Sequence, residues 1–555
     1  MEAQRFPAVL KVLPSFADFA FLLPAAFLFG RADGAATVLS DGDTGWHIRT
    51  GEWIAAHHGI PAHDIFSFSK AGQPWFAWEW LSDILLAGVN ALGGLRAVVL
   101  FSVLLLSLTY ALLYRLTLTR ANAIVAIMVT VVAATASALH WLARPHLFTL
   151  LFMVLFYSIL VRVRSGQTKL AGIPCLAILP VLTMVWTNLH GGFVAGIVTV
   201  AAFGAGEVLE LAVWGDRATR WPVARRYFLC SLACLGASLI NPYFYHLHVH
   251  IAKYLVDPFT NQRITEFVTL SFHHPLAIFF EALLALAAAT SCWNLVNGRF
   301  TEPLLLAIWA HASLMAGRNI EIFAIVSAPV VAAALDDWRK RLPEWNVAEW
   351  ARNAARSFNR LAASTAETEA TGRWHLASAV GLGLIALVLW APNPPKKFRA
   401  EFDPKKFPAG ALTVLRPDRS ARIFTTDQWG DFLIWSLYPV QKVFVDGRSD
   451  FYGRELEERI ADVLMVKVGW DKTLNRYGVN TILVAPDIPL AGVLKESGRW
   501  RVVYDDGVAL VFRPWDRTAG QSISAADIGG GAGRDREVTK TQTRDQAITE
   551  IKSTT

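Results

Sequence analysis

The sequence concentrates its most unusual chemistry in one stretch, SDGDTGWHIRTGEW, from Ser40 to Trp53. Asp41 and Asp43 stand one residue apart, followed by Trp46, His47, a lone Arg49 and two glycines. Two carboxylates at this spacing can hold a divalent cation, or one can act as a general base while the other fixes an acceptor. The same spacing also suits a solvated loop or a helix cap. Residues 45–58 read as an interfacial helix with Trp46, Ile48, Trp53 and Ile54 available to the headgroup layer. The stretch QPWFAWEWLSDILLAG carries Trp75, Trp78, Glu79 and Trp80 into a second one.

Further groups of this kind recur down the chain. ARPHLF sets Arg144 and His146 around a proline. A guanidinium fork suits a phosphate and an imidazole can donate or accept; a snorkelling Arg and a helix-starting Pro are the plainer alternative. WTNLHGG places Asn188 and His190 in a tight turn that also reads as a structural hairpin, and GRNIE offers Arg318 as a second phosphate contact or a simple topology residue. In YFYHLHVH, His246, His248 and His250 are spaced for a metal or for an aromatic-rich interfacial segment. VFVDGRSDFYG ends an expected strand with Asp446, Gly447, Arg448 and Asp450, either a ligand-binding turn or an Asp-Arg brace. The chain has no Walker loop, dinucleotide fingerprint, zinc-protease helix or nucleophile-elbow serine.

These groups must be held by elements that sit in lipid. Of 555 residues, 54% are hydrophobic and 17% charged, whereas soluble domains are nearer a quarter charged. Crossing lipid takes roughly 20 apolar residues, with about 17 to 25 tolerated, and that ruler sets about eleven spans. They fall near 12–32, 94–116, 121–141, 147–163, 171–188, 192–213, 227–242, 275–293, 302–317, 319–336 and 375–391. The net charge of +7 does not point to nucleic acid, because Lys and Arg lie in short loops between apolar runs. With the N-terminus inside, the inner loops collect Arg115, Arg120, Arg162, Arg164, Arg217, Arg220, Arg225, Arg226 and Arg299, and the segment 337–374 adds more. Nearly every unusual polar residue at a span end then shares the outer face, and ionisable groups near lipid tend to mark function. The first apolar run shows no cleavage site and reads as a retained anchor. Cys175, Cys230, Cys234 and Cys292 lie in or beside apolar runs and suggest no disulfide framework or zinc site. Residues 392–516 alternate strand and helix signals, ending in WRVVYDDGVALVFR with an Asp-Gly turn, and 517–555 is polar and reads as disordered.

The fold class expected is an α-helical multi-span membrane bundle over 1–391, with a first outer loop at 39–80 and an extracytoplasmic α/β domain at 392–516. This layout resembles the C-type superfamily (GT-C) of membrane glycosyltransferases, which includes protein O-mannosyltransferases and lipid A aminoarabinose transferases. The block DGDTGWHIRTGEWIAAHHGIPAHDIFSFS, with ARPHLF, WTNLHGGF, NPY and VFVDGR, is similar to uncharacterised bacterial members of it. The resemblance implies a cytoplasmic (inner) membrane enzyme that transfers a sugar, with inversion, from a polyprenyl-phosphate-linked donor to an extracytoplasmic glycan, lipid or protein. It implies an acceptor-side role for Asp41 or Asp43, and donor-phosphate contacts among Arg144, His146 and Arg318. Substrate contacts are expected at His47, Trp78, Glu79, Asn188 and His190. A cation, Mg or Mn, on Asp41 and Asp43 stays open, since metal dependence varies across the superfamily. Protein O-mannosyltransferases have an adjacent Asp-Glu pair, whereas here a glycine separates two aspartates. A non-catalytic lipid-carrier-binding or assembly protein for surface polysaccharide would share the layout and tolerate loss of both aspartates. A transporter fits less well, because its ionisable groups would gather near the midplane.

Overall fold

A computed structural model describes residues 11–257, 264–369 and 372–515; the polar segment 517–555 and Arg263 lie outside them. A helix stands on every apolar run: α1 (Phe16–Gly30), α3 (Trp80–Leu118), α4 (Ala123–Ser137), α5 (His146–Arg164), α6 (Cys175–Leu189), α7 (Phe193–Trp214), α8 (Arg217–Ala237), α10 (Ala277–Val296), α11 (Thr301–Met315), α12 (Ile320–Arg341) and α14 (Leu376–Leu389). Between them lie α2 (Asp43–His57), α9 (Tyr245–Val256) and α13 (Glu349–Glu369). Among the described residues, six helical stretches are long and apolar enough to cross a membrane, those of α3, α4, α5, α7, α10 and α12. The apolar helices α1, α6 and α14 are shorter. Two runs give helices outside both groups: α8 opens on Arg217, Arg220, Arg225 and Arg226, and α11 has 15 residues.

Local chemistry sets the helix ends. Ser15 and Asp18 form a reciprocal cap on α1, and the Asn122 side chain accepts from the Ile124 and Val125 amides to start α4. Pro145 immediately precedes α5, where its missing N–H is no loss. The 39 residues of α3 exceed what a crossing needs. Its backbone breaks at Gly93 and Gly94, the latter at φ 65°, a conformation that favours glycine. The break falls where the span near 94–116 was expected to begin, and it separates an arm, 80–92, that packs on α2. Every side chain of α12 from Ile320 to Ala332 is buried, which makes it the central helix, while α14 buries only Leu389.

The C-terminal region forms a four-stranded sheet from β1 (Ile423–Phe424), β2 (Thr481–Val484), β3 (Trp500–Asp505) and β4 (Leu510–Pro514), in the order β1-β2-β4-β3. β1 and β2 are parallel, and β2 and β4 antiparallel. Gly507, at φ 79°, turns the β3–β4 hairpin at the expected Asp-Gly. Helices α15 (Asp427–Leu437) and α16 (Ser449–Leu464) accompany the sheet, with α17 (Trp470–Arg476) and α18 (Pro489–Glu496). The expected strand around QKVFVDGR shrinks to a bridge at Val443, which pairs with Ile423 on one side and with Ser67 of the first outer loop on the other. The outer loop thereby extends the edge of the sheet.

A buried arginine fastens that contact. Arg448 Nε and Nη2 reach the two carboxylate oxygens of Asp446 at 2.7 and 2.6 Å, and Nη2 also reaches Asp64 Oδ1 of the outer loop at 2.7 Å. Tyr452 donates to Asp446 at 2.7 Å, and the guanidinium lies 4.4 Å from the Trp75 ring centroid. Removing the guanidinium leaves two buried carboxylates uncompensated, at a cost of about 3–5 kcal/mol. Arg448→Met should therefore lower the thermal unfolding temperature in detergent and expose the 60–75 loop to limited proteolysis. Unchanged melting with an unchanged cleavage pattern would remove this clamp from the account.

Candidate functional site

The first turn of α2 is where the outer loop meets the bundle and the C-terminal region. Helix formation starts at Asp43, with Gly42 as its cap residue. Neither Gly42 nor Gly45 could carry a side chain, because a Cβ would stand 2.6 Å from the Gln428 carbonyl oxygen or 2.8 Å from Trp435 Cβ. α15 consequently lies directly on the start of α2. Asp41, one residue before the cap, accepts from the Asp43 amide at 3.0 Å, but both carboxylates also turn to Arg144. Its Nη1 is 2.7 Å from Asp41 Oδ2 and 3.0 Å from Glu266 Oε1, and its Nη2 is 2.8 Å from Asp43 Oδ2. Gln428 braces the loop from the other side, accepting from the Gly42 amide at 2.9 Å and donating to Asp41 Oδ1 at 3.2 Å.

Burial opposes the charge on Arg144, yet Asp43, Glu266 and Asp41 together outweigh it and hold the guanidinium ionised. Glu266 is likewise held well below the usual carboxylate range against its burial, by Arg144 and by its hydrogen bond with His140. Asp43 behaves differently. Its Oδ1 and the Oδ2 of Asp431, both buried, have no other partner and face one another. Burial and the neighbouring Asp43 push Asp431 up, so that it keeps a proton to donate. Burial also pushes Asp43 up, opposed by Arg144. Gly447 donates its amide to Asp431 Oδ1 at 2.8 Å and closes the pocket.

Behind Asp43 runs a chain of buried polar groups. His47 Nδ1 is 2.6 Å from Asp83 Oδ1 and its Nε2 is 3.7 Å from Glu79 Oε2. Glu79 Oε1 is 3.5 Å from His190 Nε2. Trp186 donates to Thr149 at 3.0 Å, Thr149 meets His190 Nδ1 at 2.7 Å, and the Gly192 amide donates to the same Nδ1 at 3.0 Å. An Nδ1 that accepts twice leaves the ring proton on Nε2, aimed at Glu79. Burial, Arg144 and His190 keep His47 neutral; burial, Arg318 and Arg144 bring His190 down to about 3. Glu79 is pushed up to about 8, chiefly by burial.

Two cavities meet here. One of about 550 Å³ opens among α5, α7, α9, α11 and α12 and is walled largely by apolar side chains such as Leu150, Val194, Val198, Trp309 and Met315. Another of about 850 Å³ lies outward, lined by Asp41, Asp43, Arg144, Glu266 and Asp427 among others. His140, Tyr254 and Arg318 line both. Arg318 lies 4.6 Å from the Phe267 ring centroid and has no carboxylate within ion-pair distance among the described residues.

The expected residues thus divide. Asp41, Asp43, Arg144 and Arg318 come together on the outer cavity, His146 lines the apolar one, and Trp78, Glu79, His47 and His190 gather in a small polar recess between, part of it shared with the apolar cavity. Asn188 is drawn away: it accepts from Trp80 Nε1 at 2.9 Å and donates to the Ile240 carbonyl at 2.9 Å, bracing the α6–α7 turn. The histidines of α9 diverge, His248 to Ser238 and His250 to Asp450. Sequence reasoning missed Glu266, Tyr254, Glu321 and Asp431. Only Asp431 carried a signal, as the second of two acids four residues apart in DQWGDFL at a predicted helix start.

The residues do not fit a divalent cation on Asp41 and Asp43. The oxygens that would converge on it both take N–H donors from Arg144, and Asp41 Oδ1 is occupied by the Asp43 amide and Gln428. Among the described residues, no group of three His, Cys, Asp or Glu side chains has metal-ligand spacing.

No family model and no curated protein matches the chain. Solved structures do. The archaeal oligosaccharyltransferase AglB from Archaeoglobus fulgidus, in complex with an inhibitory peptide and a dolichol-phosphate, superposes with a TM-score of 0.55 at 13% identity, covering 89% of this chain and 73% of that one. The apo form of the Archaeoglobus fulgidus oligosaccharyltransferase gives 0.51 at 13% identity, with 90% and 74% covered. The same enzyme tethered to an acceptor peptide containing the NVT sequon gives 0.51 at 13%, with 90% and 73% covered. Identity this low speaks to the fold, and the fold with its apolar helices is that of a multi-pass membrane protein.

Glu79 gives a test of this electrostatic arrangement. Its folded value of about 8 exceeds its ordinary 4.5, so between those values the folded state binds more protons than the unfolded one. Stability from this group is therefore lost as pH rises from about 4.5 toward 8. Glu79→Gln, which mimics the protonated form, should flatten that part of the profile of unfolding temperature against pH. A profile identical to wild type would refute the buried protonated carboxyl.

Proposed function

We propose that this chain is a membrane glycosyltransferase that moves a sugar from a polyprenyl-phosphate-linked donor to an acceptor on the extracytoplasmic side of the cytoplasmic membrane. The observation that carries the reading is the meeting of an apolar cavity among helices with a polar, carboxylate-lined cavity at Arg318, a guanidinium without an ion-pair partner among the described residues. A prenyl chain suits the first cavity, a water-borne acceptor suits the second, and the phosphate between them needs a cation. The archaeal enzyme of the same fold was solved with a dolichol-phosphate, which supports a lipid-linked donor. Positive charge gathered in the alternate loops supports an N-terminus inside and the site outside.

In this reading Asp43 is the base. Of the two aspartates it alone lines both the outer cavity and the polar recess, and among the described residues its Oδ1 meets no group but Asp431. Asp43 takes the proton of the acceptor nucleophile. The nucleophile then bonds to the anomeric carbon from the face opposite the phosphate, with inversion. The C–O bond to phosphate breaks, its electron pair stays on the phosphate, and Arg318 stabilises the charge that develops. Asp41 positions Arg144 and the start of α2. His190, with its Nε2–H fixed toward Glu79, and His146 supply neutral polar edges to the donor side.

The test is turnover of labelled polyprenyl-phosphate sugars by the detergent-purified protein with cell-envelope extract as acceptor. Asp43→Asn should lose about 10²–10⁴-fold in turnover while retaining donor binding and its unfolding temperature. Arg318→Ala should lose about 10²–10³-fold, with Arg318→Lys recovering part of it. Binding without consumption by wild type would instead favour a lipid-carrier-binding protein. A second expectation concerns pH. The base must be ionised, and burial raises Asp43, so kcat/KM should fall with acid in a range above ordinary carboxylate values. Asp431→Ala removes the hydrogen bond that favours ionised Asp43 and should move this limb to higher pH. Asp431→Asn keeps a donor and should leave it in place; equal profiles for all three proteins would contradict the pairing.

A further inference from the structure

The pair Asp41 and Asp43 has the form of a cation site, and a cation already fills it. We propose that the Arg144 guanidinium occupies the position a divalent metal would take between the two aspartates, so that this chain works without metal. The functional half of this inference rests on the transferase reading; the structural half does not.

The argument starts from space. Arg144 Nη1 and Nη2 stand 2.7 and 2.8 Å from the Oδ2 atoms of Asp41 and Asp43. A magnesium ion on those oxygens would need metal–oxygen distances of about 2.0–2.1 Å in near-octahedral geometry, and it would fall inside the volume of the guanidinium. The arginine is also held in place. Its Nη1 is engaged a second time by Glu266, itself 3.3 Å from His140. The backbone beneath is pinned, since the Ala143 amide donates to the Val38 carbonyl at 2.8 Å and its carbonyl accepts from Thr44 at 3.0 Å. Pro145 and the first turn of α5 follow at once. Withdrawing Arg144 to admit an ion would abandon three ion pairs.

The charge is conserved as well as the position. One dication would place two positive charges between carboxylates and phosphate. Here Arg144 supplies one at the aspartates and Arg318 the other at the junction of the cavities. A guanidinium stays ionised throughout the working pH range and presents a fixed fork of donors, so the division requires no metal supply.

Manganese binding followed by electron paramagnetic resonance, on the full-length protein in detergent, tests the structural half. Wild type should show no saturable Mn²⁺ binding that Asp43→Asn abolishes. Arg144→Ala should gain such a site, and the Arg144→Ala/Asp43→Asn double variant should lose it again; Arg144→Gln serves where the alanine variant does not fold. In turnover assays, chelator should leave wild type unchanged, whereas Arg144→Ala should lose about 10²-fold and recover in part on addition of Mn²⁺. Saturable Mn²⁺ binding by wild type that depends on Asp43, or wild-type turnover lost to chelator and restored by metal, would overturn the proposal. Wild type that consumes no lipid-linked sugar while the binding results hold would sink the transferase reading and leave the displaced metal site standing.

Discussion

A charge buried without water must be surrounded by opposite charge, and Arg448 shows how much structure that requirement organises. Its side chain is 2% exposed, and its Nε and Nη2 are held by Asp446 within its own turn and by Asp64, nearly four hundred residues earlier in the chain. Without the guanidinium both carboxylates would be left buried with no cationic partner. The bond fixes the first outer loop to the C-terminal sheet, and Ser67 continues the sheet through Val443. With the loop so anchored, Gly42 and Gly45 let α15 lie against the start of α2, and Asp431 reaches Asp43. The site is thus assembled from three distant stretches, held by this clamp together with the contacts of Gln428 and Trp435 on the start of α2.

Three arginines on this face carry the same side chain and have different surroundings. Arg448 is enclosed by aromatic rings and two carboxylates and serves architecture. Arg144 is shared among three carboxylates, which keeps it charged and leaves it little capacity for a further anion. Arg318 rests on Phe267 without an acidic partner among the described residues. Coulombic interaction is strong in such a partly dry environment, so the unpaired guanidinium is the one able to gain most from an incoming phosphate. The neutral chain from His47 through Glu79 to His190 is consistent with this division, because burial together with Arg144 keeps both imidazoles unprotonated, with Arg318 adding to the effect at His190.

Much of the architecture was legible in the sequence for simple reasons. Apolar runs long enough for lipid became helices on every occasion, since backbone polar groups in lipid must be satisfied within the segment. The break in α3 falls where the span near 94–116 was expected to begin, and the terminal hairpin was visible as an Asp-Gly turn. The strand around Val443 was over-read, because its hydrophobic alternation could not reveal that the chain turns at Asp446 to place Arg448 inward. Asn188 looked like a site residue because it stands beside His190 at a helix end, but its side chain bonds Trp80 and the carbonyls of Met184 and Ile240.

By itself the sequence determined that this chain sits in a membrane and that Asp41, Asp43, Arg144 and Arg318 stand at the ends of its apolar runs. Those properties follow from hydropathy and charge, which are local. Which arginine is paired, which aspartate meets Asp431, and that Glu266 and Asp431 join the site were decided only by tertiary structure. Pairing depends on distances across hundreds of residues and on burial, and neither is written in the spacing of any motif.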